Sequence, residues 1–228
     1  MEAFDTSPSQ AEPHAASATP TETKPQVLIV DDDRDAWNAL GCCLRAAGME
    51  VEISPTVPAF LSSGRPGTPT CLILNDNLAG PDTLDFQQKL AAAKIFVPHI
   101  FVTECGDIRT CVRAMQNGAI DYLSKPFRNQ HLFDSIQLAL AQDRAWCDHQ
   151  SEIASLRDRF ETLSRRERQV MAQVAKGRLN KQVAGSLGIS EITVKAHRGR
   201  VMRKMKASSL PDLARMADRI GVDALVPD

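Results

Sequence analysis

The sequence predicts an α/β domain built on a doubly wound, five-stranded parallel sheet, followed by an all-α domain of four helices. Two observations predict this. Across residues 26–142, short apolar runs alternate five times with stretches of helical periodicity, the pattern of parallel strands joined by crossover helices. Beyond residue 160 the strands stop, and capped helical segments follow one another across short turns. A length of 228 residues accommodates two ordinary domains.

The elements follow in order. Residues 1–25 are rich in Ala, Ser, Thr and Pro without apolar periodicity, so a disordered tail is expected. Gln26-Val-Leu-Ile-Val30 is a β-branched run followed by Asp31-Asp-Asp33, as expected of a buried strand that delivers carboxylates at its C-terminal end. Residues 34–47 read as a helix closed by Gly48, 49–53 as a strand, and 57–61 as a short helix before a Gly/Pro-rich loop. Strands are expected at 71–74, 98–102 and 120–124, with helices at 82–93, 107–117 and from 129 onward.

In the second half, Ser164-Arg-Arg-Glu167 is a capping box that opens a helix closed by Gly177. Asn180 to Leu187 reads as a short helix and Gly188-Ile189 as a tight turn. Ser190 then caps a helix in which Val194, Val201 and Met205 mark a buried side. Ser209-Leu-Pro-Asp starts a fourth helix, with proline in its first turn. Helix, glycine turn and capped basic helix make a helix-turn-helix.

Charge agrees with that motif. The chain carries a formal −1 overall, yet residues 161–206 hold twelve Lys and Arg against Glu161, Glu167 and Glu191. Such asymmetry points to nucleic acid on the basic side. On the Ser190 helix, Lys195, Ala196 and Gly199 form a thin face on which the backbone can approach base edges. Lys181, Thr193, Arg198, Arg200, Arg203 and Lys204 flank it, with the cations expected mainly at phosphates. His197 lies toward the buried side and is expected to pack. Leu163-Ser-Arg-Arg-Glu-Arg-Gln-Val, Asn180-Lys-Gln-Val-Ala and Ile192-Thr-Val-Lys-Ala-His-Arg-Gly-Arg-Val-Met resemble the LuxR-type DNA-binding domain of NarL/FixJ-type regulators, over residues 160–222.

In a doubly wound sheet the site lies at the carboxyl ends of the strands. There the sequence gathers Asp31 and Asp32, Asn75-Asp76-Asn77, Thr103-Glu104, Tyr122 and Lys125-Pro126. Val30-Asp-Asp-Asp, Phe101-Val-Thr and Arg113-Ala-Met-Gln-Asn-Gly-Ala-Ile-Asp-Tyr-Leu-Ser-Lys-Pro-Phe127 resemble the receiver domain of two-component response regulators, a flavodoxin-like fold. The resemblance implies a phosphoryl group taken from a histidine kinase, Mg²⁺ held by Asp31, Asp32 and the Asn77 position, and a switch at Thr103, Tyr122 and Lys125.

The chain departs from that pattern where chemistry is most demanding. Alignment on Leu78 and Leu84-Asp85-Phe86 puts Asn75 at the acceptor aspartate, with Ala79, Thr83 and Glu104 as further departures. An acyl phosphate needs a carboxylate nucleophile, and a carboxamide is a poor substitute. Losing that charge also weakens a site for a hard cation. Asp76 is the alternative acceptor, but successive strand residues face opposite sides. Asp31, Asp32 and Lys125 then have two readings, a metal site or a salt-bridged cluster that fixes the loops.

Between the domains, residues 143–159 read as a helical linker, and Trp146, Ile153, Leu156, Phe160 and Leu163 lie near heptad spacing. This predicts either a short coiled coil between two protomers or a helix packed on its own chain. The apolar face of Leu210, Leu213, Met216, Ala217 and Ile220 resembles the family's dimerisation helix, with core packing as its alternative. Double-stranded DNA, a second copy and a kinase or other protein at the receiver are the expected partners.

No apolar run reaches membrane-spanning length, and the N-terminus lacks the pattern of a signal peptide, so a cytoplasmic, non-enzymatic regulator is expected. The six cysteines form no Cys-x-x-Cys pair, and buried structural thiols are expected for several of them. The rival readings are a regulator phosphorylated on Asp76, an Mg²⁺-dependent phosphohydrolase using the acid cluster, and an interaction protein that sequesters a kinase.

Overall fold

The structure, a computed structural model of the chain, describes residues 24–31, 33–54, 68–78, 83–93 and 95–222. Asp32, the short helix expected over 57–61 and nearly all of the expected tail lie outside these residues.

The first domain is built from β1 (Gln26–Val30), α1 (Arg34–Ala46), β2 (Glu50–Ser54), β3 (Thr70–Asn75), α2 (Thr83–Ala92), β4 (His99–Thr103), α3 (Ile108–Gln116), β5 (Asp121–Ser124) and the start of α4 (Asn129–Glu161). The strands pair in parallel in the order β2-β1-β3-β4-β5. Alternation along each strand divides two cores. Val27, Ile29, Cys71, Ile73, Ile100 and Val102 face Trp37 and Leu44 of α1 and Leu132, Ile136 and Ala139 of α4. Leu28, Val30, Leu72, Leu74 and Phe101 face Phe86 and Leu90 of α2 and Ala114 of α3. Helices therefore cover both faces, and the inner strands β1, β3 and β4 are nearly continuous buried runs because neither face meets water.

The second domain contains α5 (Arg165–Ala175), α6 (Asn180–Leu187), α7 (Glu191–Met205) and α8 (Leu210–Ile220). Its termini carry the expected caps. The Ser164 hydroxyl accepts from the Glu167 N–H at 3.3 Å, and the Glu167 carboxylate accepts from the Ser164 N–H at 2.9 Å. Gly188 turns the chain in the left-handed region at φ +65, where an L side chain would be strained.

The stretch expected as a helical linker, 143–159, is helical and continues the last receiver helix. Helix α4 runs unbroken for 33 residues, about 50 Å at the rise of an α-helix. Its first half belongs to the receiver core. The carboxylate of Asp143, buried at the expected start of the linker, accepts from the Thr70 N–H of β3 at 2.7 Å. Trp146 stacks on Phe96 at 5.3 Å. Leu156, Phe160 and Leu163 then enter the core of the second domain, and Arg219 of α8 pairs with Glu152. Of the heptad-like residues, Leu156, Phe160 and Leu163 are thus used in the core of the chain's own second domain, and Trp146 in a stack on Phe96. On α8, Leu213, Ala217 and Ile220 are buried in that same core, with Leu210 and Met216 packed against it. Core packing accounts for that face.

Of the cysteines, Cys71 is buried, but Cys42, Cys43 and Cys105 are exposed, which corrects the expectation of several buried thiols. Among the described residues no helix is long and apolar enough to cross a membrane.

Candidate nucleic-acid interface and receiver site

Helix α7 is positioned from within. Its Val194, Val201 and Met205 are fully buried, so the opposite face is turned outward. At its start the Ser190 hydroxyl accepts from the Thr193 N–H at 3.1 Å and bonds the Thr193 hydroxyl at 2.8 Å. Thr193, Lys195, Ala196, Gly199, Arg200 and Arg203 are exposed, as is Lys181 on α6. His197 is half-buried, on the expected side. Arg198 is also half-buried and donates to the Asn180 carboxamide oxygen at 3.2 Å, tying α7 to the start of α6.

Gly199 is informative. A Cβ built there meets nothing within 4 Å, so packing inside the chain does not require glycine. A glycine inside a helix costs roughly 0.5–1 kcal/mol relative to alanine.

Lys204 departs from its expected place at a phosphate. Its ammonium donates to the Glu167 carboxylate at 2.7 Å and to the Thr162 carbonyl at 2.9 Å. Burial pushes the Glu167 carboxyl upward, but Lys204 and the Ser164 N–H outweigh it and hold it below its ordinary value. Lys204 therefore anchors α7 to the start of α5. Lys204→Ala should cost the second domain about 1–3 kcal/mol, the penalty of a buried acceptor left short of a partner. Urea unfolding read from that domain checks this, with the salt dependence of DNA binding as control. An unchanged midpoint with a shallower salt slope would return Lys204 to the phosphate contacts.

In the receiver, Asp31 collects four donors at the end of β1. The Trp37 indole N–H donates to Oδ2 at 2.7 Å and the Lys125 ammonium to the same oxygen at 3.0 Å. The Asp33 N–H and the Asn75 carboxamide donate to Oδ1 at 3.0 and 3.1 Å. Asp31 is fully buried. Burial raises its pKa, but the four donors outweigh that and bring it from 3.8 down to about 2. The Asn75 carboxamide oxygen in turn accepts from the Asn77 N–H at 3.1 Å.

Asn75, the last residue of β3, thus shares a face with Asp31, and Asp76 opens a 3-10 turn and is directed instead to Tyr122. The Tyr122 hydroxyl donates to Asp76 at 2.7 Å. Burial first, and then the Asp76 carboxylate, push the Tyr122 phenol up. Thr103 is buried, and its hydroxyl accepts from the Cys105 N–H at 3.3 Å. The structure therefore joins Asp31, Asn75 and Lys125 in one cluster and Asp76 with Tyr122 in another. Glu104 is exposed, and no described contact ties it to Asp31.

Asp32, which the resemblance puts at the Mg²⁺ site, lies outside the described residues, and the described residues alone fit Mg²⁺ poorly. They include no group of three His, Cys, Asp or Glu that could hold a metal. Asp31 already accepts four hydrogen bonds, one from a cation, and Asn75 and Asn77 are neutral.

Sequence reasoning missed Trp37 and the Glu167–Lys204 pair. A tryptophan six residues after an acid carries no periodic signal. Lys204 was read from its helix alone.

Comparison with known proteins agrees with both halves. Residues 27–137 match the family described as response regulator receiver domain, and residues 161–217 match bacterial regulatory proteins, luxR family. Nodulation protein W of Bradyrhizobium diazoefficiens is 46% identical over 206 residues, covering 90% of this chain and 91% of that protein. FixJ of Rhizobium meliloti is 37% identical over 194 residues, covering 84% and 94%. A solved structure of the response regulator StyR is 38% identical, with a TM-score of 0.73, covering 86% of this chain and all of that one. The chain belongs to the response regulators of the NarL/FixJ type, transcription regulators that join a receiver to a LuxR-type DNA-binding domain.

Proposed function

We propose that this protein is a sequence-specific regulator of transcription whose receiver is not switched by aspartyl phosphorylation. The observation that carries the first part is the outward stripe of α7. It presents Lys195, Ala196 and Gly199 with Arg200 and Arg203 beside them, on a helix fixed from behind by a fully buried core. Cations at its margins reach phosphates, and small residues admit base edges. The unneeded glycine at 199 supports this reading.

Binding of the full chain to duplexes selected from a random library tests it. Each phosphate contact adds about −0.9 to the slope of log K against log salt. Arg200→Ala should weaken all duplexes alike and flatten that slope by about one contact. Lys195→Ala should relax preference at one base position, at about 1–3 kcal/mol for the preferred base. Two variants with wild-type affinity, preference and slope would remove α7 from the interface.

The second part rests on Asn75. It occupies the end of β3 on the Asp31 face, where the family resemblance puts the acceptor, and it has no carboxylate to offer. Asp76 is disfavoured as a substitute because it is directed to Tyr122 in a hydrogen bond.

A homodimer remains part of the proposal, on another surface than the two first expected. Ile108, Val112 and Met115 recur at four and three residues along α3 and are 80%, 47% and 43% exposed, an apolar stripe that a second copy would cover.

A further inference from the structure

On the outward stripe of α7 one large apolar side chain is exposed. Ile192 is 82% exposed and stands in the first turn, three, four and seven residues before Lys195, Ala196 and Gly199. Those spacings keep the four on one side of a helix. Ile189, Met202 and Leu210 pack against the core of the domain, and Ile192 is not among the residues that do.

A lone exposed aliphatic side chain is ordinary on a protein surface. Position is what sets this one apart. The first turn of a recognition helix is the part that meets base edges. Its other members leave that role to Ile192. Thr193 and Ser190 are hydrogen-bonded to each other, and the exposed Glu191 carboxylate repels phosphate, so this turn is poorly suited to the DNA backbone. The major groove offers hydrogen-bond donors and acceptors and one apolar group, the C5-methyl of thymine.

We infer that Ile192 is a specificity-determining residue whose side chain packs on a thymine C5-methyl in the major groove. The inference rests on the DNA-binding reading of α7 above. Ile192 excludes water from the methyl, while Lys195, one turn on, hydrogen-bonds a neighbouring base edge. Preference for thymine then comes from burial of the methyl, not from a hydrogen bond.

Replacing thymidine by 2′-deoxyuridine removes that methyl and keeps every hydrogen-bonding group. The full-length protein is titrated at fixed salt against its best selected duplex and against versions carrying one deoxyuridine at each thymine in turn. At one or two positions wild type should lose about fourfold in affinity, the equivalent of one buried methyl group. Ile192→Ala should bind the thymine duplex about as weakly as wild type binds the deoxyuridine one, with no further loss on substitution. Ile192→Val should keep part of the discrimination. Thermal unfolding of Ile192→Ala should match wild type, because the side chain is exposed. Wild-type indifference to every deoxyuridine, or full discrimination retained by Ile192→Ala, overturns the inference while DNA binding stands. Absence of any selected duplex overturns the DNA-binding reading, and this inference with it.

Discussion

Acetyl phosphate should leave the wild-type protein unlabelled, and an Asn75→Asp variant should acquire hydroxylamine-sensitive phosphate in the presence of Mg²⁺. The argument begins with the nucleophile, since an acyl phosphate forms only on a carboxylate. It continues with what the carboxamide does now. Asn75 donates to Asp31 at 3.1 Å, so replacement by aspartate exchanges a donor for an acceptor and sets two carboxylates against each other. Without a divalent cation the variant should be less stable than wild type by about 1–3 kcal/mol. Mg²⁺ should restore part of that loss, because a hard cation favours anionic oxygen. The wild-type unfolding midpoint should stay unmoved by Mg²⁺. Labelling of wild type that vanishes in Asp76→Asn would end this reading and make Asp76 the acceptor. A receiver moves between states only through a ligand with different affinities for them. If wild type stays unlabelled, that ligand is something other than an aspartyl phosphate.

Asp31→Ala should destabilise the receiver by about 3–5 kcal/mol, the range for removing one partner of a buried ion pair. Truncation would strand the Lys125 ammonium, the Trp37 indole N–H and the Asn75 carboxamide together. The milder Asp31→Asn gives the cluster a pH signature. Asp31 is held at about 2 against an ordinary 3.8, so its ionised form stabilises the fold fully above the ordinary value. That stability is lost as pH falls through the folded value. The stability gap between wild type and Asp31→Asn should therefore narrow as pH drops from about 4 to about 2. A gap that stays constant across that window would show that charge plays no part in the cluster.

Local signals carried much of the architecture. Ser164 with Glu167, Gly188 and Ser190 sit at helix ends in the sequence, and each makes the predicted cap or turn, because caps act within three or four residues. Strand alternation separates Asn75 from Asp76 only if the strand runs on, and the fold ends β3 at Asn75 and takes Asp76 into a 3-10 turn. What surrounds a face is another matter. Periodicity marked Trp146, Leu156 and Phe160 as one side of a helix, but the fold sends the first to Phe96 and the others to a second core. It marked Leu213, Ala217 and Ile220 as an apolar face, and the chain itself covers them. The same holds for charge. Lys204 belongs to a basic helix by sequence, yet it is held by a carboxylate 37 residues earlier, and Asp31 is held by a lysine 94 residues later. The sequence by itself determined which residues are apolar, cationic or able to cap. Only the tertiary structure decided which of them were consumed within the chain and which were left exposed, because that depends on neighbours brought together by folding and not by spacing.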